Sequence, residues 1–170
     1  MMNSIKILKK NVPYPKMLKE LAKEIGAMRT LFSQHRYKKG TQGWRGDDES
    51  RIQQLGIMGE LIARDYCYNN FDSNEFKFEP LIEKDVIALP DLTWNDKKID
   101  IKAVDEKTFE FRMNCNSYNN SNKKVKGYWF VKLRPNCTAN HFIVPYNVIS
   151  DWEVKEGYTP YFAAPMPIIK

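Results

Sequence analysis

Apolar positions along this chain recur first at a helical period and then at a strand period, and the change falls near residue 70. Leu18, Leu21, Ile25, Met28 and Phe32 stand three or four residues apart, which predicts a helix beginning near Lys16, just after Pro13 and Pro15. Lys16, Lys19, Lys23, Arg29 and Arg36 fall largely off that stripe. The stripe needs a partner, either the body of the protein, the ordinary outcome, or a second copy of the chain, which leaves a homodimer open. A glycine-rich break over 40–48 follows. It lacks the Gly-Lys-Ser/Thr ending of a phosphate-binding loop and reads as a connection, in which Trp44-Arg45 could touch nucleic acid. A second helix is expected over 49–68, with Asp47, Asp48 or Ser50 near its start to cap it. Ile52, Leu55, Gly59, Ile62 and Tyr66 line one of its faces. Gly56 and Gly59 each cost a helix about 0.8–1 kcal/mol relative to alanine, so their presence within one turn implies a close approach by a neighbour. Glu60 follows directly.

Downstream the alternation becomes that of strands: 76–82, a hairpin over 90–102, 108–113, 128–133 and 141–144, the last ended by Pro145. Residues 118–126 are polar and predict a loop, 146–150 a short helix or turn, and the tail carries Trp152, Tyr158, Tyr161 and Phe162.

The hairpin carries the most chemistry. Asn95-Asp96 tolerate positive φ and suit a two-residue turn. Folding there pairs Trp94 with Lys97, Thr93 with Lys98, Leu92 with Ile99 and Asp91 with Asp100. Opposed aspartates repel unless something compensates them, and a divalent cation would do so. Lys102, two residues beyond Asp100, shares its face. The alternative is a simple amphipathic hairpin, with Leu92, Trp94, Ile99 and Ile101 inward and the polar residues wet.

Composition places the chain among ordinary globular domains: 170 residues, 42% hydrophobic and 28% charged, enough for one well-buried core. No apolar run approaches the length of a membrane span, and the basic start lacks a signal-peptide pattern, so a cytoplasmic protein is expected. Cys67, Cys115 and Cys137 match neither a disulfide framework nor a zinc site. His35 and His141 are too few for histidine-rich metal chemistry, and packing or surface roles suit both. The net charge of +6 is uneven. Residues 1–40 hold ten Lys/Arg against two Glu, while the rest holds seventeen basic and nineteen acidic groups. A basic arm on a near-neutral body suggests a polyanionic partner, most simply nucleic acid.

The order of Gly56-Ile57-Met58-Gly59-Glu60 on a helix, then Pro90-Asp91, then Asp100-Ile101-Lys102 resembles the PD-(D/E)XK nuclease superfamily. The resemblance covers roughly residues 50–133. It implies an α/β fold with a restriction-endonuclease-like core, a mixed central sheet flanked by helices. The basic helical segment 1–48 would then be an extension on a nuclease core spanning 49–170. It further implies a Mg²⁺-dependent hydrolase of DNA phosphodiesters, an endonuclease by preference, with Mn²⁺ able to substitute. Asp91, Asp100, the Ile101 backbone carbonyl and Glu60 would hold the metal, and Lys102 would orient or deprotonate the attacking water or stabilise the transition state. Arg45, Lys123, Lys124 and Lys126 are the candidate nucleic-acid contacts. The rival reading is a protein of the same fold that binds nucleic acid without cutting it. An interaction module unrelated to the family is a third.

Overall fold

The computed structural model describes residues 4–36, 49–82, 90–119, 124–157 and 159–167. Its centre is a six-stranded mixed sheet. In order across the sheet the strands are β1 (Lys6–Pro13), β7 (Thr138–Pro145), β6 (Gly127–Arg134), β4 (Lys97–Val104), β3 (Leu92–Trp94) and β2 (Phe76–Phe78). Only β4 and β6 run parallel; every other pairing is antiparallel. The fold is therefore α/β with a mixed sheet, as expected.

Alternation along the central strands gives the sheet two buried faces. Trp129 and Val131 of β6 join Ile99 and Ile101 of β4 beneath α2 (Glu49–Asn70), on which α1 (Met17–Arg36) packs in turn. Tyr128 and Phe130 point the other way, with Phe142 and Val144, onto a three-stranded sheet of β5 (Glu110–Asn114), β9 (Tyr161–Pro165) and β8 (Glu153–Lys155). Helices thus cover one face and a second sheet the other. A short helix, α3 (Cys115–Tyr118), capped by the Asn114 side chain, and a 3-10 turn at Tyr146–Asp151 close that second layer. Burial on both faces explains why β6 is apolar almost throughout. No described helix is long and apolar enough to cross a membrane.

Two parts of the pattern read differently in three dimensions. Residues 6–13, expected within a helical extension, form an edge strand of the main sheet. Its register slips on either side of Lys9, and Asn11, at φ 48°, donates its N–H to Asn140 Oδ1 at 2.7 Å. The apolar stripe of α1 is also split. Leu18, Ala22 and Ile25 turn inward, whereas Leu21 and Met28 remain 40% and 49% exposed. The cause is a close crossing: a Cβ on Gly26 would lie 2.8 Å from Gln54 Cγ of α2, so the contact line runs along the small residues.

Candidate functional site

The hairpin forms as its sequence predicts. Leu92 pairs with Ile99, Thr93 with Lys98 and Trp94 with Lys97 around a turn in which Asn95 and Asp96 stand at φ 45° and 62°. The ladder stops one pair short of the aspartates. Asp91 instead turns its carboxylate onto the neighbouring strand and accepts the N–H of Ile101 at 2.6 Å. Among the described residues the β3 side of β4 is therefore an open edge from Asp100 onward. The N–H and C=O of a strand residue leave the same edge, so the Ile101 carbonyl faces this opening too.

Helix α2 crosses above it. A Cβ on Gly59 would sit 2.8 Å from the Ala103 Cβ, the close approach its glycine foreshadows. Gly56 has no such contact; the nearest atom to its missing Cβ is the Arg29 guanidinium, at 4.0 Å. The crossing sets Glu60 over β4. Glu60, Asp91, Asp100, Ile101 and Lys102 line one cavity of about 310 Å³, with Arg29 at its wall. The four acid–base residues expected from the sequence thus converge.

Their charges are tightly engaged. Lys102 Nζ lies 2.5 Å from Asp100 Oδ2, and Arg29 Nη1 lies 2.9 Å from Glu60 Oε1. Arg29 also donates to the Leu81 carbonyl through Nε and Nη2, at 3.0 and 2.5 Å. Burial pushes the Asp91 carboxyl well above the usual aspartate range. The nearby negative charges of Asp100 and Glu60 add to this, against Lys102 and the Ile101 N–H. Burial likewise raises Glu60, and Arg29 only partly pulls it back. For Lys102, burial works to lower the pKa, but Asp100 and Asp91 outweigh it and the net shift is upward. Lys102 is therefore firmly an ammonium in this state.

Hard carboxylate and carbonyl oxygens are the donor set that Mg²⁺ takes, usually with several waters retained. Asp91 and Glu60, whose charged forms burial disfavours, suit a cation that would relieve them. Among the described residues no three His, Cys, Asp or Glu side chains form a ready-made metal cluster. Glu60 and Asp100 are instead held by Arg29 and Lys102.

The remaining candidates scatter. Arg45 and Lys123 lie outside the described residues. Lys124 is exposed, at φ 44°. Lys126 is exposed beside the hairpin turn, where its N–H meets the Lys98 carbonyl at 2.8 Å. It borders a different cavity, of about 540 Å³, with Lys6, Lys97 and Trp94. The start of β6 lies toward the turn end of β4, which is why Lys126 stands there. Sequence reasoning missed Arg29 as part of the site: it was legible only as a cation off the apolar stripe. Arg64 was missed as well. It donates to the Glu79 carbonyl, covers the Phe78 ring at 4.6 Å, and interacts electrostatically with Glu60 and Asp91.

Compared with protein-family models, curated proteins and solved structures, the chain matches none.

Proposed function

We propose that this protein is a Mg²⁺-dependent nuclease of the PD-(D/E)XK type, acting on DNA and by preference an endonuclease. The observation that carries the reading is the convergence of Glu60, Asp91, Asp100 and Lys102 on one cavity at the open edge of β4. Asp91, Asp100 and the Ile101 carbonyl would hold the ion, with Glu60 beside them. When bound, Mg²⁺ supplies a lowered pKa for an attacking water and charge stabilisation at phosphorus. Lys102, kept cationic by two carboxylates, is suited to bind and orient a phosphate oxygen and to offset the charge that builds there. Its raised pKa favours this electrostatic role over proton abstraction. Exposed Lys16, just before α1, and Lys19 and Lys23 on it would add salt-dependent, sequence-independent affinity.

The test is incubation with supercoiled plasmid in Mg²⁺ or Mn²⁺, with and without EDTA. Nicking that EDTA abolishes and that Asp100→Asn removes is the expected result. A second reading, a binder of nucleic acid that does not cut it, draws on the internal pairing of Asp100 with Lys102 and Glu60 with Arg29. Salt-sensitive DNA binding with no cleavage in either metal would decide for it.

A further inference from the structure

The charges around the cavity nearly cancel within the protein itself. Glu60, Asp91 and Asp100 bring three formal negative charges. Arg29 on Glu60 and Lys102 on Asp100 bring two positive ones, and Arg64 interacts with Glu60 and Asp91. One divalent cation adds two positive charges. A phosphodiester and a hydroxide, one negative charge each, restore the balance. With Arg64 counted, three cations already match the three acids, so a second divalent ion would leave two positive charges uncompensated, which is expensive beside buried groups.

Arg29 is the residue that enforces this limit. Its guanidinium is fixed by three bonds, one to Glu60 and two to the Leu81 carbonyl. The planar fork of arginine holds its charge in place there; a lysine would keep the positive charge beside Glu60 while giving up the two bonds to the Leu81 carbonyl. Glu60 is the one acid of the three carried by a helix rather than by the hairpin, so it is the carboxylate through which a second ion would have to be held. We propose that Arg29 occupies the place of that second cation and restricts the cavity to one metal ion. The proposal rests on the nuclease reading for the first ion and goes beyond it in giving α1 a part in the site.

Titration of the full chain with Mn²⁺, followed by calorimetry and by electron paramagnetic resonance, tests it. The parent chain should take one Mn²⁺ with the spectrum of an isolated ion. Arg29→Gln should take two, with the broadened spectrum of a coupled pair, and Arg29→Lys should stay at one. Adding Glu60→Gln to Arg29→Gln should return the count to one. Two ions in the parent chain would overturn the proposal without recourse to any variant, as would a folded Arg29→Gln that still binds one. No Mn²⁺ binding by the parent would instead overturn the nuclease reading itself, and this inference with it.

Discussion

Two lysines on neighbouring strands, the half-buried Lys102 of β4 and the buried Lys132 of β6, are held in opposite ways. Lys102 faces the carboxylates of Asp100 and Asp91 at an open edge, and its pKa is raised against the pull of burial. Lys132 is 3% exposed and donates to the main-chain carbonyls of Asp105 and Glu106, the latter at 2.8 Å. It also lies 4.6 Å from the centre of the Phe109 ring. Burial lowers its pKa, with Asp105 and Glu106 opposing only partly. Dipoles and a ring satisfy one ammonium and seal a loop; full charges hold the other beside a cavity. The contrast separates a lysine that builds the protein from one poised to meet a ligand. His141 of β7 belongs with the first kind. It is fully buried, accepts from Trp129 Nε1 at 3.1 Å and stacks on Tyr66.

The contrast predicts that changes at the open edge alter activity, whereas changes in the β6–β7 core alter stability. The largest effect is expected from Lys102→Ala. Metal-dependent cleavage should fall roughly 10²–10⁴-fold while the urea midpoint barely moves, and full retention of cleavage would end the electrostatic assignment. Next is the acid limb set by His141, whose pKa is lowered to about 4 by burial. Below its unfolded value of about 6.5 the unfolded chain binds a proton that the folded chain does not. Stability should therefore fall as pH drops from about 6.5 to about 4, by about 3 kcal/mol. Urea melts of the parent and of His141→Gln should differ in that slope, and identical slopes would remove His141 as its source.

Lys132→Met should cost about 1–3 kcal/mol by leaving the Asp105 and Glu106 carbonyls unpaired, with cleavage unchanged at temperatures where the variant is folded. A loss of rate larger than the loss of stability would blur the distinction between the two lysines. The smallest effect concerns Asp91. Its folded pKa is raised, so in the ion-free chain the folded state holds its proton to higher pH than the unfolded state does. Its contribution then diminishes stability as pH rises above the ordinary carboxylate range. Asp91→Asn should accordingly stabilise the ion-free protein at neutral pH by about 1 kcal/mol while weakening Mg²⁺ binding. Calorimetry and melts on the same samples would expose a failure of either half.

Much of the site was legible because it is local. Asn95-Asp96 dictate a turn, the turn dictates register, and register brings Asp91, Asp100 and Lys102 together within a dozen residues. Glu60 was legible through Gly59, whose missing side chain marks the crossing at Ala103. Arg29 was not, because its partners are Glu60 and the Leu81 carbonyl, far along the chain, and nothing in its local spacing encodes either. The edge strands β1 and β8 escaped for a related reason. β1 pairs along one side only, with a slipped register, so strict alternation is lost there. β8 is only three residues long, too short for a period to emerge.

The contact between Gly59 and Ala103 has a consequence for how this sequence can vary. With only 2.8 Å between the Ala103 Cβ and the position a Gly59 Cβ would take, the two sites share one allotment of space. Gly59→Ala gains helix propensity yet must push α2 away from β4, lifting Glu60 off the cavity. Gly59→Ala combined with Ala103→Gly returns the volume. The two positions are therefore expected to be non-additive, each substitution harmful alone and tolerated in exchange. Among diverged versions of this chain, residues 59 and 103 should trade size rather than drift independently.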